Sequence, residues 1–206
     1  MQHSRIAHYA LLSYYGRENG CSTGKGKHLQ TGDLAPDVAV TIEDKRVRLR
    51  DFVGEQRVVL YFYPRDSTPS CTLEARGFND LIEQFAAHGA VVIGVSTDDA
   101  TSHARFTRQE GLRFSLGADP DGTLATAFGA ANRLVQGIVA KRVTFLIERD
   151  GRIARIWDRV NPHTHPLDVL DAIKALTPAC PCCPEGARAR FPTGEGEPYA
   201  HASVSK

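Results

Sequence analysis

The run Val58-Val-Leu-Tyr-Phe-Tyr63 is apolar or aromatic at every position. Such a run, with no polar alternation, predicts a strand covered on both faces, at the centre of a sheet. Pro64 ends it. After Pro69 the apolar positions are 71, 75, 78, 82 and 85, with Leu81 beside them. That spacing predicts one helix over residues 69–87. Residues 90–96 repeat the buried-strand pattern, 99–110 read as a helix and 121–128 as a short one. A further strand at 143–147 leads through Arg149-Asp-Gly-Arg152, a hairpin signal, to a strand at 153–157. The last helix is expected over 166–177, with Val169, Leu170, Ile173 and Leu176 on its core face. Upstream, a short strand from Val38, a turn at Glu43-Asp-Lys, a second short strand and a helical turn at 49–53 complete the pattern. A strand-helix-strand unit followed by an antiparallel hairpin and a helix predicts an α/β fold. Its central mixed β-sheet is flanked by helices.

The patterned region occupies residues 31–177. Residues 1–30 are polar and irregular and read as an N-terminal extension. Residues 178–206 hold Pro181, Pro184, Pro192 and Pro198 among many small residues and read as a disordered Cys/Pro-rich tail. With 25 Lys plus Arg against 24 Asp plus Glu, the chain has no charge excess to draw it to nucleic acid or an anionic membrane. Its apolar stretches are strand-sized, far short of the ~20 residues that span a bilayer. We read the chain as cytoplasmic and as a monomer or weak dimer. Its five cysteines are Cys21, Cys71, Cys180, Cys182 and Cys183. An odd number, clustered late, is unlike a secreted disulfide framework and more like redox or metal chemistry.

Cys71 stands where the central strand hands over to the long helix. Thr68 suits an N-cap and Pro69 a first helical position. Cys71 is then the third helical residue, facing unpaired backbone amides and the positive end of the helix dipole. Both stabilise a thiolate.

Pro64-x-x-x-Thr68-x-x-Cys71 resembles the active-site motif of the peroxiredoxins. The longer run Tyr63-Pro64, Thr68-Pro69, Cys71-Thr72-x-Glu74-Ala75 and Phe78-x-Asp80 is similar to the bacterioferritin comigratory protein, or Q-type, subfamily. Further pieces follow at family spacing: Gly94-Val-Ser-Thr-Asp98, Ser102-His103-x-x-Phe106, Ala118-Asp-Pro-Asp-Gly122, Ala127-Phe128-Gly129 and Arg142-Val-Thr-Phe-Leu-Ile147. Gly32-Asp-x-Ala-Pro-Asp37 resembles the family's opening signature. The resemblance covers about residues 30–177. It implies a thioredoxin-like fold and a thiol-dependent peroxidase that reduces hydrogen peroxide and organic hydroperoxides without a cofactor or metal. Thioredoxin, glutaredoxin or a small thiol would regenerate it.

Within that reading Cys71 is the nucleophile. Its backbone amide is a donor to developing negative charge. The Thr68 hydroxyl accepts from the peroxide or donates to the thiolate, and Pro64 shields the thiolate from water. Topology brings in Arg142 independently. A strand starting at Val143 and antiparallel to 58–63 begins beside the end of the central strand, near Cys71. The Arg142 guanidinium then supplies a permanent charge in a planar fork. Glu74 is ranked below these four, as support for the helix start. His103, His163 and His165 show no metal spacing and are expected at the surface or at helix caps.

Many Q-type members carry a resolving cysteine five residues after the nucleophile; here that residue is Arg76. Resolution then falls to an external thiol, to Cys180, Cys182 or Cys183 of the tail, or to Cys21. Two other functions fit parts of the chain. A disulfide oxidoreductase needs Cys-x-x-Cys at the helix start, and Thr68 occupies the first position. A redox-sensing or metal-binding module would use Cys180-Pro-Cys182-Cys183 to hold copper(I) or zinc, although no matching His or Cys pair follows.

Overall fold

The structure, a computed structural model, describes residues 28–176 apart from 44, 53 and 136. Cys21, Cys180, Cys182 and Cys183, residues 1–27 of the N-terminal extension and the whole tail lie outside the described residues.

Strand β3 (Arg57–Phe62) is the middle of the architecture, and every residue in it is buried. It pairs in parallel with β4 (Ala90–Ser96) and antiparallel with β8 (Val143–Ile147). Beyond β4 lies β5 (Ser115–Ala118), parallel to it, then β1 (Ala39–Ile42) and β2 (Lys45–Arg48), both antiparallel to their neighbours. Beyond β8 lies β9 (Ile153–Trp157). The sheet order is β2-β1-β5-β4-β3-β8-β9, a mixed sheet of seven strands. A separate ribbon pairs β6 (Ala131–Leu134) with β7 (Gly137–Ala140).

The alternation of β3 builds two cores. Val59 and Tyr61, with Tyr63 just beyond the strand, face a cluster with Cys71, Ala75, Phe78, Phe85 and Phe106. Val58, Leu60 and Phe62 face Phe128, Val143 and Phe145 on the other side. The first cluster lies under helix α1 (Pro69–Asp80), α2 (Ile82–Ala87), α3 (Ala100–Glu110) and α5 (His165–Leu176); the short α4 (Thr123–Ala127) covers the second. Two glycines permit close approach. A Cβ on Gly94 would lie 2.7 Å from the Tyr61 ring, and one on Gly77 would lie 2.8 Å from Pro166 at the start of α5. Gly77 thereby lets α5 lie directly on α1.

Most of the expected elements are present within a residue or two at their ends. Four expectations need correction. The helix expected over 69–87 is two helices, broken at Leu81. The Arg113 guanidinium donates to the Asn79 carbonyl at 2.8 Å, taking an acceptor that a continuing helix would use. Strands β5, β6 and β7 are additions to the expected set. Leu176 is 42% exposed, off the core face that Val169, Leu170 and Ile173 form. His103 and His165 are buried rather than at the surface; His163 is exposed as expected.

The burial of His165 has a consequence for stability. Its Nε2 lies 2.8 Å from the hydroxyl of Thr144, itself fully buried. Burial, aided by the Arg142 charge and opposed by Asp168, pushes the ring down to about 4. A lowered folded value means that His165 contributes stability above its unfolded value of about 6.5 and loses it as pH falls towards 4. Glu74 has the opposite sign. Burial pushes its carboxyl up to about 7, so its contribution is full below about 4.5 and is lost as pH rises through 7. Each is worth on the order of 3 kcal/mol, so they offset one another in the native protein. Chemical denaturation of His165→Gln at pH 7 and pH 4.5 is expected to show a gain on acidification, larger than in the native protein.

Candidate active site

The end of β3 and the start of α1 set the geometry. Thr68 occupies the N-cap with an extended backbone, and Pro69 follows in the first turn. The first bond of the helix runs from the Thr72 amide to the Thr68 carbonyl, 2.8 Å. The Ser70 and Cys71 amides precede it and have no intrahelical acceptor. Cys71 is a free thiol, only 2% exposed, packed among the aromatic residues of the first core.

The Thr68 side chain makes no capping bond. Its hydroxyl donates to the Arg65 carbonyl at 3.1 Å, correcting the expectation of a side-chain cap. The proton is spent locally, and the oxygen keeps its acceptor lone pairs. Pro64 is half-buried at the end of β3.

Val143 pairs with Phe62, so the residue before it stands at the Cys71 end of the sheet. Arg142 reaches across from there. Its Nη2 lies 3.1 Å from Cys71 Sγ and 3.2 Å from Ser70 Oγ, while Nη1 donates to Glu74 Oε2. The Arg142 side chain is 16% exposed and that of Glu74 is fully buried. Burial disfavours the Arg142 charge, but Glu74 and Cys71 outweigh it and hold the group more basic than usual. Thr68, Cys71 and Arg142 thus converge on one end of the sheet, with Pro64 beside them.

Glu74 does more than its sequence position suggests. Its carboxylate fixes one arm of the fork so that the other points at the sulfur. Its second oxygen and the Tyr61 hydroxyl are the two buried side-chain polar atoms without a hydrogen-bond partner among the described residues. His103 is likewise misplaced by a reading of sequence alone. It is 5% exposed, behind the loop at 64–68. Its position in Ser102-His103-x-x-Phe106, facing inward with Phe106 at helical spacing, is the available signal.

Arg76 points outward to Glu110 at 2.5 Å. Among the described residues no group of three or more His, Cys, Asp or Glu side chains is placed to hold a metal ion. No helix there is long and apolar enough to cross a membrane.

The chain matches the AhpC/TSA family over residues 31–156. The Bcp peroxiredoxin of Bacillus subtilis (strain 168) is 36% identical over 154 residues, covering 72% of this chain and 98% of that one. The Bcp peroxiredoxin of Escherichia coli (strain K12) is 36% identical over 153 residues, covering 71% and 96%. Among solved structures, peroxidoxin BcpB of Mycobacterium tuberculosis superposes with a TM-score of 0.69 at 31% identity, over 73% of this chain and 99% of that one. A cysteine-to-serine mutant of Xylella fastidiosa PrxQ gives 0.68 at 35%, over 73% and 99%. The fold is thioredoxin-like, and the chain belongs to the AhpC/TSA family as a peroxiredoxin, a thiol-dependent peroxidase.

Proposed function

We propose that Cys71 is the peroxidatic thiol and that Thr68, Pro64 and Arg142 complete its site. The observation that carries this reading is the Arg142 Nη2 to Cys71 Sγ contact of 3.1 Å, with the other arm of the same guanidinium held by buried Glu74. The Cys71 thiolate attacks the nearer peroxide oxygen and the O–O bond breaks. Sulfur is oxidised by two electrons to a sulfenic acid, and the far oxygen leaves as hydroxide or alkoxide and takes up a proton. Arg142 and the Cys71 amide stabilise the departing charge. The Thr68 oxygen accepts from the peroxide hydroxyl and orients it. Pro64 keeps water from the sulfur.

The bacterioferritin comigratory protein of Xanthomonas campestris, 33% identical with a TM-score of 0.64, has alkyl peroxide reduction activity. For this chain we infer hydrogen peroxide and organic hydroperoxides as substrates and thioredoxin, glutaredoxin or a small thiol as reductant. The charge balance and cysteine usage fit a cytoplasmic monomer or weak dimer.

Resolution of the sulfenic acid is proposed to come from an external thiol. The residue five after Cys71 is Arg76, which excludes a disulfide within the helix. Helix α5 ends at Leu176, whose carbonyl lies 3.5 Å from Arg57 at the start of β3, the end away from Cys71. Cys183 follows Leu176 by seven residues, a reach of ~23 Å, while the six residues of β3 alone span ~20 Å. Cys21 is the internal competitor. It precedes His28 by seven residues, and His28 lines a cleft with Val143 and Asp158 at the Cys71 end of the sheet. One equivalent of peroxide followed by digestion without reductant is expected to yield no disulfide peptide containing Cys71. A stoichiometric link to Cys21, Cys180, Cys182 or Cys183 would replace the external resolver with an internal one.

A further inference from the structure

The loop at 64–68, between β3 and α1, carries Pro64 and Thr68 on either side of Asp66. It is strained: Ser67 has φ of 55°, in the left-handed region that glycine favours and other residues rarely adopt. Asp66 is what holds it. Its side chain is buried, the Tyr63 hydroxyl donates to Oδ1 at 2.7 Å, and its amide donates to Asp98 Oδ2 at 2.8 Å. Asp98 also accepts from the Ser96 hydroxyl at 2.8 Å, which anchors it to the end of β4.

From α3, His103 completes the arrangement. Its Nδ1 lies 2.9 Å from Asp66 Oδ2 and 3.2 Å from Oδ1, and its Nε2 lies 3.2 Å from the Gly117 carbonyl on β5. A carbonyl only accepts, so Nε2 carries a proton. A carboxylate only accepts, so Nδ1 carries one as well. The groups around the ring are the Asp66 carboxylate, the Tyr63 hydroxyl beside it and the Gly117 carbonyl; Asp98 lies beyond Asp66. None of them is a cation. Burial works to raise the Asp66 carboxyl, but the bond and charge of His103, with the Tyr63 and Ser102 hydroxyls, hold it below the usual carboxylate range.

We propose that His103 and Asp66 form a buried imidazolium–carboxylate pair that positions the 64–68 loop, and with it Thr68 and Pro64, over the reacting sulfur. The His103 ring nitrogens bond to Asp66 and Gly117 rather than to Cys71 or Arg142. It acts through Asp66, so it is a positioning residue. Loss of the Nδ1 proton would set a lone pair against the carboxylate and loosen a strained loop. The kinetic part rests on Cys71 being the peroxidatic thiol. The protonation state does not.

The test has two arms. Ring-nitrogen NMR of the full chain is expected to show both His103 nitrogens protonated at neutral pH, and a neutral ring in Asp66→Asn. A neutral ring in the native protein would overturn the proposal whatever cysteine reacts. In stopped-flow measurements of Cys71 oxidation, His103→Gln and Asp66→Asn are each expected to slow the reaction about 10-fold, with the double variant no slower than either. Native rates in both single variants would also overturn it.

Discussion

Cys71→Ser is expected to abolish peroxide consumption while leaving the fold intact. The substitution is nearly isosteric at a site that is 2% exposed, in the core cluster that also holds Tyr61, Ala75 and Phe78. A hydroxyl at the same place stays protonated at neutral pH and is a poor nucleophile towards peroxide oxygen. Removing the nucleophile of a covalent mechanism typically costs about 10⁴-fold or more. A coupled peroxidase assay with each reductant, beside a circular dichroism melt, checks both halves of the expectation. More than a trace of activity would show that another thiol carries the reaction.

The second large effect is expected at Arg142. Arg142→Ala removes the only side-chain cation in contact with the sulfur among the described residues and should slow Cys71 oxidation by about 2–4 kcal/mol of barrier. Thr68→Val should lie in the same range or below it. Arg142→Lys should recover only part of the loss. A single ammonium cannot reach Glu74, Ser70 and Cys71 together, as the planar fork does. Truncation also leaves Glu74 buried without its partner. Because burial already pushes its carboxyl up to about 7, Glu74 is expected to protonate rather than unfold the helix start. Arg76 is an unpromising substitute cation, being exposed and paired with Glu110. Stopped-flow oxidation rates for the three variants at fixed pH test this ordering.

The sequence makes the centre of the molecule legible because the pattern there is local. The apolar run at 58–63 and the spacing after Pro69 place Cys71 at a strand-helix junction with no knowledge of what packs around it. Arg142 is accessible through topology, since an antiparallel β8 must begin where β3 ends. What stays hidden depends on partners distant in the chain. The break at Leu81 is tied to Arg113, 34 residues from Asn79. Glu74 is buried because Arg142, 68 residues on, neutralises it. His103 is buried because Asp66, 37 residues back, pairs with its ring. Glu and His are usually found near water, so residue type alone points outward in both cases. The β6–β7 ribbon escapes the pattern because its strands are four residues each and pair only with one another.

The peroxidatic role of Cys71 is tested most directly by trapping its oxidised form. Reduced full-length protein would receive one equivalent of peroxide in the presence of a 1,3-dione that captures sulfenic acids, and the tagged peptides would be mapped by mass spectrometry. The expected result is a near-stoichiometric tag on Cys71 in the native protein and none in Cys71→Ser. A tag distributed over Cys21, Cys180, Cys182 or Cys183, with Cys71 unmodified, would contradict it.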